Sequence, residues 1–289
     1  MQDAMSLINF ILDMAALLLW LSWRSTPYDP LARATPATLA GTVRRAEPSR
    51  LKRWHLLAVM LGLLLVRGVF YWQFGPAVNW TPRIDLGILA PAFPCNALLP
   101  SWLFSMSSFA RTWVVFHFWL LALVMINGQS AEGNPIRKLI LVQLGGIGRW
   151  PHAVQVLLPG LVTALIWIGM HPLLARFGIV KHVPSATHLL AQGALLGVWI
   201  YFTLKTLIPV FLFAYLVNSY VYLGANPLWD YVSATSRKVL LPLKRLPLRR
   251  GKIDFAPLVG IILILLLLHA LPNLVLSELS RRNLTLWPQ

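Results

Sequence analysis

Residues 226–265 read NPLWDYVSATSRKVLLPLKRLPLRRGKIDFAPLVGIILIL, and this stretch decides the predicted fold. It opens with Asn226-Pro227, continues as a basic segment and becomes purely apolar after Asp254. Asn is a favourable helix N-cap, and Pro is favoured at the first helical position, where its missing N–H costs nothing. The stretch therefore predicts a helix start, a basic turn and then an apolar helix.

The same kind of helix start occurs at two earlier places, Asp29-Pro30 and Asn134-Pro135. Each Asx-Pro pair lies in a basic segment between two apolar runs. We interpret the repeated unit as a span, an interfacial helix and a second span. The predicted repeats are parallel, belong to a single membrane domain of residues 1–289, and cover 5–72, 102–174 and 196–275.

The segments after Asn134 and Asn226 are amphipathic. Ile136, Leu139, Ile140 and Leu144 share one helical face, and Leu228, Tyr231, Val232 and Val239 share another. Basic residues interleave with both sets, so we expect these helices to lie in the cytoplasmic interface, with their apolar faces in the acyl boundary and their cations at anionic lipid headgroups. The segment after Asp29-Pro30 is small and polar and fits the pattern least well.

The composition is that of a membrane protein. Hydrophobic residues make up 57% of the 289 residues and charged residues only 12%, against roughly 45–50% and about 25% in soluble domains. The net charge of +16 lies mostly in loops, where it sets topology, rather than in a separate domain that would bind nucleic acid. The N-terminus shows no cleavable signal peptide.

Six apolar runs are long enough to cross a bilayer, which takes roughly 20 residues. Loops 24–53, 127–151 and 224–254 are basic, so the positive-inside rule places them in the cytoplasm and both termini outside. The fifth run is about 54 Å long as a helix, so it is either one long tilted helix or a helix broken near Pro209, with its crossing part at 196–220. The predicted spans are 5–23, 54–72, 102–126, 152–174, 188–223 and 255–275.

The third repeat resembles the YggT family of small bacterial and plastid membrane proteins. The resemblance rests on Asn226-Pro227-Leu228, on Leu241-Pro242-Leu243 and above all on the junction from Gly251 to Leu258, GKIDFAPL. It covers about 50 residues. The first two repeats lack that junction, and typical family members have two hairpins where this chain has three. The resemblance implies a non-enzymatic membrane protein with proposed roles in ion homeostasis, envelope processes or the assembly of membrane complexes.

The junction also has a purely geometric interpretation. Gly251 lets the chain turn from interface to span. Asp254 is the expected N-cap of the sixth span, with Pro257 in its first turn. Helix capping alone explains each of these residues.

Four ionisable residues fall within the predicted spans: Asp13, Arg67, Arg111 and Lys205. Intramembrane charges cost about 2.5–3.5 kcal/mol each on insertion scales, so they usually face other helices and find partners. Helix rise places Asp13 at a depth where it pairs with Arg67 or Arg111. Such a pair would hold helices together; an ion pathway lined by Arg111 and Lys205 is the alternative.

No residue pattern predicts catalysis or a cofactor. Cys95 is the sole cysteine, and Gly145-Gly146-Ile147-Gly148 lacks the residues of a phosphate-binding loop and predicts a helix end. His171 and His269 lie at similar predicted depths, the arrangement of a bis-histidine haem site, but no other haem feature accompanies them.

The sequence therefore predicts an all-α, polytopic, non-catalytic subunit of a bacterial inner membrane, without cofactor or metal. It would pack against other integral membrane proteins and anionic lipid rather than nucleic acid. A small-ion channel or transporter is the alternative function, and a membrane cytochrome is a third. The partner, the process and the oligomeric state do not follow from the sequence.

Overall fold

A computed structural model describes residues 2–25, 53–87, 89–128, 133–183, 185–221, 226–245, 249–250 and 253–281. The fold is all-α, as predicted, with one two-stranded hairpin among the described residues. The helices are α1 (Gln2–Ser25), α2 (Arg53–Phe74), α3 (Leu98–Asn127), α4 (Pro135–Leu144), α5 (His152–Arg176), α6 (Ala186–Trp199), α7 (Leu204–Tyr220), α8 (Pro227–Val239) and α9 (Ala256–Arg281). Short 3₁₀ turns lie at Pro76–Val78, Gly145–Arg149, Ile200–Thr203 and Leu241–Arg245.

Five helical segments in the described chain are long and apolar enough to cross a membrane. They correspond to the first five predicted spans and run over Asp3–Ser25, Trp54–Phe74, Leu98–Asn127, His152–Arg176 and Ala186–Tyr220. The apolar start of α9, Ala256–Leu267, is shorter. The chain is therefore a multi-pass membrane protein, while the count of six spans and the threefold repeat stay predictions.

The chain forms two compact units. The first comprises Met1–Asp85 and Ala90–Trp113, and the second comprises Leu86–Leu89 and Val114–Gln289. The border falls inside α3, so these units do not follow the predicted repeat boundaries. In the first unit, Ala16 of α1 packs with Met60 and Leu64 of α2.

The second unit is built around the C-terminal half of α3. Leu121, Leu123 and Val124 pack with Ile140 and Leu144 of α4, Leu207 of α7 and Tyr231 of α8. The amphipathic helices α4 and α8 thus bury part of their apolar faces against other helices of the unit, where the sequence predicted contact with the acyl boundary of the membrane. Leu139 and Leu228 do not join them, because 44% of each side chain stays exposed.

Two of the three Asx-Pro pairs lie in the described chain, and both begin helices. The Asn134 side chain accepts a hydrogen bond from the N–H of Ile136, and that of Asn226 accepts one from Leu228. Pro135 and Pro227 are the first residues of α4 and α8. Asp29-Pro30 and Gly251 lie outside the described residues.

The junction before α9 differs from the expected geometry. Ile253–Asp254 forms a β-strand (β2) that pairs antiparallel with Arg249–Arg250 (β1). Because α9 begins at Ala256, the N-cap position belongs to Phe255, whose carbonyl accepts from the N–H of Val259. Asp254 is therefore not the N-cap, whereas Pro257 does lie in the first turn and is fully buried.

The fifth apolar segment contains a 3₁₀ turn, but it runs as one helical segment from Ala186 to Tyr220. The 3₁₀ turn Ile200–Thr203 separates α6 from α7. Pro209 lies inside α7 and not at this turn. A proline-based prediction could not locate the turn, because the contacts that accompany it come from other helices: Tyr201 donates to the Val156 carbonyl, and Trp119 donates to Thr203.

Candidate functional site

The first unit holds a buried ion pair between α1 and α2. Arg67 Nη1 lies 2.6 Å from Asp13 Oδ1, and the two residues are only 2% and 4% exposed. Both come from predominantly apolar helices, so neither charge would be stable there alone. The predicted alternative of an Asp13–Arg111 pair is not formed.

The second carboxylate oxygen of Asp13 is also occupied. Ser108 of α3 donates its hydroxyl to Oδ2 at 2.6 Å, and Asn9 donates its amide at 3.4 Å. The Asn9 amide also lies 3.1 Å from Ser108 Oγ, and Tyr71 donates to Asn9 Oδ1 at 2.9 Å. The carboxylate therefore contacts donors from all three helices of the unit.

Arg67 is anchored on its other side by Ser105 of α3. Nε donates to Ser105 Oγ at 2.9 Å, and Nη2 donates to the Ser105 carbonyl oxygen. The Ser105 hydroxyl in turn donates a hydrogen bond to the Leu64 carbonyl oxygen at 2.7 Å. We call Asn9, Asp13, Arg67, Tyr71, Ser105 and Ser108 the polar cluster.

Aromatic side chains lie beside the polar cluster. The Tyr71 ring packs on Trp80 and Phe104 at centroid distances of 4.9 and 5.5 Å, and Phe93 packs on Phe104 at 5.6 Å. Trp80 and Phe93 belong to the segment between α2 and α3, which is thereby tied down on the first unit. Cys95 in the same segment is 1% exposed, and burial raises the pKa of its thiol. The raised pKa favours the protonated thiol.

Sequence reasoning identified two of the six residues in the polar cluster. The signal for the other four was a spacing of three or four residues between polar side chains on apolar helices. Asn9 and Asp13 are spaced so on α1, Arg67 and Tyr71 on α2, and Ser105 and Ser108 on α3. Such spacing places both members of a pair on one helix face.

The second unit has polar contacts where α3, α4 and α8 meet. Asn134, the N-cap of α4, donates its side-chain amide to the Pro227 carbonyl at 3.0 Å, so the first residues of α4 and α8 are joined directly. Asn127 at the end of α3 donates to Thr235 of α8 at 2.7 Å, and Lys238 donates to the Asn127 carbonyl.

Tyr231 of α8 is buried in the same region. Burial raises the pKa of its hydroxyl, an effect opposed in part by its hydrogen bond with Asn127 and by the charge of Arg137. A cation at the C-terminal carbonyl of α3, as Lys238 provides, also complements the helix dipole.

Arg111 is not part of the polar cluster, and Lys205 belongs to the second unit. Both are exposed. The contact between α5 and α6 is antiparallel, with Gly160 against Gly197 and the Tyr201 hydroxyl bonded to Val156. Lys205 lies in the first turn of α7, within the apolar segment Ala186–Tyr220, so its place within the membrane stays a prediction.

The histidines of the haem hypothesis are not both described in side-chain detail. His171 is 3% exposed, and its ring makes an edge contact with Trp167 at 5.7 Å. The His269 side chain lies outside the described part. His117 is half-buried, with its ring 5.5 Å from that of Phe116. Within the described residues, no group of three or more His, Cys, Asp or Glu side chains could hold a metal.

Comparison of the chain with models of protein families, with curated proteins and with solved structures finds no match. The arrangement itself must therefore carry the functional argument. In the first unit, the acceptors and donors of the ion pair face one another across three helices. That geometry fastens the three helices together.

Proposed function

We propose that this protein is a non-catalytic, YggT-like subunit of a bacterial inner membrane that packs against membrane proteins and anionic lipid. It would serve the assembly or upkeep of a membrane complex. In this proposal the basic loops face the cytoplasm and both termini face outward.

The observation that carries the proposal is the joined pair of amphipathic helices, α4 and α8. Their buried faces hold them on the second unit, and the Asn134–Pro227 hydrogen bond joins their first turns. Their free faces combine exposed leucines, Leu139 and Leu228, with the exposed cations Lys138 and Arg237. An apolar surface bordered by cations suits the headgroup region of an anionic membrane.

The test is to purify the protein in mild detergent and to identify the lipids and proteins that come with it. We expect anionic phospholipid to be retained over zwitterionic phospholipid, together with at least one integral membrane protein. Because each interfacial cation contributes about 1 kcal/mol, replacing both Lys138 and Arg237 by Gln should lower retention of anionic lipid by about tenfold or more.

The matched control is a double variant in which two other exposed cations, Arg83 and Arg176, are both replaced by Gln. These two residues lie away from α4 and α8 in the sequence. This control should leave lipid retention unchanged. Equal losses in both double variants, or a wild-type protein that carries neither anionic lipid nor a partner, would contradict the proposal.

A small-ion channel or transporter is the second candidate. The observation in its favour is the 3₁₀ turn at Ile200–Thr203, because interrupted helices commonly contribute to ion sites in transporters. Ion flux in proteoliposomes distinguishes the two functions. The subunit proposal expects no flux above empty vesicles, whereas flux abolished by Lys205→Leu would favour the channel.

A further inference from the structure

Arg111 lies at the middle of the longest described helix. It is separated from Leu98 by about 20 Å and from Asn127 by about 24 Å along the axis of α3, at 1.5 Å per residue. A hydrocarbon core of about 30 Å centred on α3 would place the Arg111 backbone within a few ångströms of its midplane. A cation in that position costs about 2.5–3.5 kcal/mol on insertion scales unless it finds a counter-charge.

The surroundings of Arg111 are unlike those of Arg67. Residues 100–127 are all described, and Arg111 is the only exposed residue among them. Arg67 is buried and paired with Asp13. Arg111, in contrast, has no ion-pair or hydrogen-bond partner in the described part of the chain.

We propose that the α3 surface around Arg111 binds a transmembrane helix of a different membrane protein, one that carries an Asp or Glu within its span. This inference rests on the proposed function as a membrane subunit and names the chemistry of its partner. The charge of Arg111 requires a counter-charge at the same depth, and a carboxylate accepts two parallel hydrogen bonds from a guanidinium.

A second copy of this chain does not supply that group. Asp13 is the one acidic residue within the predicted spans, and its carboxylate is already bound by Arg67, Ser108 and Asn9. Lipid phosphate lies at the membrane surface rather than at mid-depth.

The experiment is photo-crosslinking of the full-length protein in its native membrane. The photoreactive residue p-benzoylphenylalanine replaces Val115, a half-buried side chain one turn from Arg111 on the same face. The same residue at Leu165 of α5, which is 58% exposed, reports an apolar surface elsewhere. Each probe is combined with native Arg111, with Arg111→Lys and with Arg111→Leu. Lys205→Leu is the matched control, because it also removes an exposed cation.

We expect the Val115 probe to form an adduct with a membrane protein that has an acidic residue in a span. Arg111→Leu should lower the yield by about tenfold, the factor expected from one lost hydrogen bond to a charged group. Lys205→Leu should keep it within about twofold, because it leaves Arg111 in place. Arg111→Lys should keep more of the adduct than Arg111→Leu, because the charge at mid-depth is retained although the paired hydrogen bonds of the guanidinium are lost. Exchanging the charges, with Arg111→Glu and the partner's acid replaced by Arg, should restore the adduct.

Misfolding does not explain a loss in Arg111→Leu, since leucine inserts into a bilayer more favourably than arginine. The inference is overturned if the Val115 probe reacts only with lipid or with a second copy, if its protein adduct lacks an intramembrane acid, or if Arg111→Leu leaves the yield unchanged. In those cases a co-purifying membrane protein would still support the proposed function, whereas the absence of any membrane partner would contradict both.

Discussion

The Asp13–Arg67 pair shows what individual residues decide in this protein. In a membrane, one charge of such a pair is costly and two charges in contact are tolerated, so each residue explains the presence of the other. The donors from Ser105 and Ser108 bring α3 into the same arrangement. The polar cluster therefore stabilises a three-helix unit whose surfaces are otherwise apolar.

We predict that Asp13→Asn destabilises the first unit by about 3–5 kcal/mol, because it leaves the Arg67 charge buried without its counter-charge. The double variant Asp13→Leu, Arg67→Leu should recover much of this loss, since no buried charge then remains. The measurement is reversible unfolding in detergent or bicelles, with Arg111→Leu as a control that removes an exposed cation. A stability for Asp13→Asn equal to that of the wild type would show that the pair contributes nothing.

At the scale of single residues, the sequence predicts a contact best where a residue has few possible partners. Asp13 needed a cation at its own depth, so two partners were predicted and one of them is found. The roles of Asn9, Tyr71, Ser105 and Ser108 did not follow as directly, because a single polar residue on an apolar helix is ordinary. These four side chains bond to one another and to the ion pair only because three helices pack together, and the sequence of each separate helix does not specify that packing.

The helices α5 and α6 approach each other closely where glycines of the two helices face each other. A Cβ on Gly197 would lie 2.5 Å from the Gly160 carbonyl oxygen, and one on Gly193 would lie 3.1 Å from the Ile168 side chain. Small residues spaced by four let helix backbones approach in membranes, where packing drives association.

The glycines make a graded prediction. Gly197→Ala should destabilise the α5–α6 contact by about 1–3 kcal/mol, as overpacking does, because the atom it meets is backbone and cannot turn aside. Gly193→Ala should cost less, since a flexible side chain can move. Gly169→Ala has nothing within 4 Å of the added carbon and is the control. Thermal unfolding of the three variants checks the order, and equal effects for Gly197 and Gly169 would refute the close contact.

The junction between α4 and α8 allows the two roles of Asn134 to be separated. Alanine removes both the N-cap and the bond to Pro227, whereas aspartate keeps the cap acceptor but cannot donate to the Pro227 carbonyl. We expect Asn134→Ala to cost about 1–2 kcal/mol and Asn134→Asp to lose only the link between the helices, about 1 kcal/mol.

Hydrogen exchange of the first turns of α4 and α8 is the measurement. In Asn134→Asp, exchange should rise at α8 while the start of α4 stays protected. Asn226→Ala is the comparison, since the Asn226 side chain caps its own helix. Unchanged exchange at α8 in Asn134→Asp would mean that the link does not stabilise that helix.

At the scale of the whole molecule, the all-α, multi-pass architecture was predictable because its signal is additive over many residues. Length and apolar composition located the same five spans that the structure shows. The 3₁₀ turn at Ile200–Thr203 and the pairing of Arg249–Arg250 with Ile253–Asp254 were not foreseen. Both depend on contacts or pairings that local propensity does not encode, and the proline at 209 and the aspartate at 254 suggested other positions.

Orientation in the membrane is the whole-molecule property that the charges predict. Because loops 24–53, 127–151 and 224–254 carry most of the Lys and Arg, they should face the cytoplasm and loop 73–101 should face outward. In a Cys95→Ser background, Thr81→Cys should react with a membrane-impermeant maleimide in intact spheroplasts. Ser49→Cys and Ser130→Cys should react only after permeabilisation. The opposite pattern would place α4 and α8 on the outer surface, away from the anionic cytoplasmic leaflet, and would remove the electrostatic basis for their lipid-facing role.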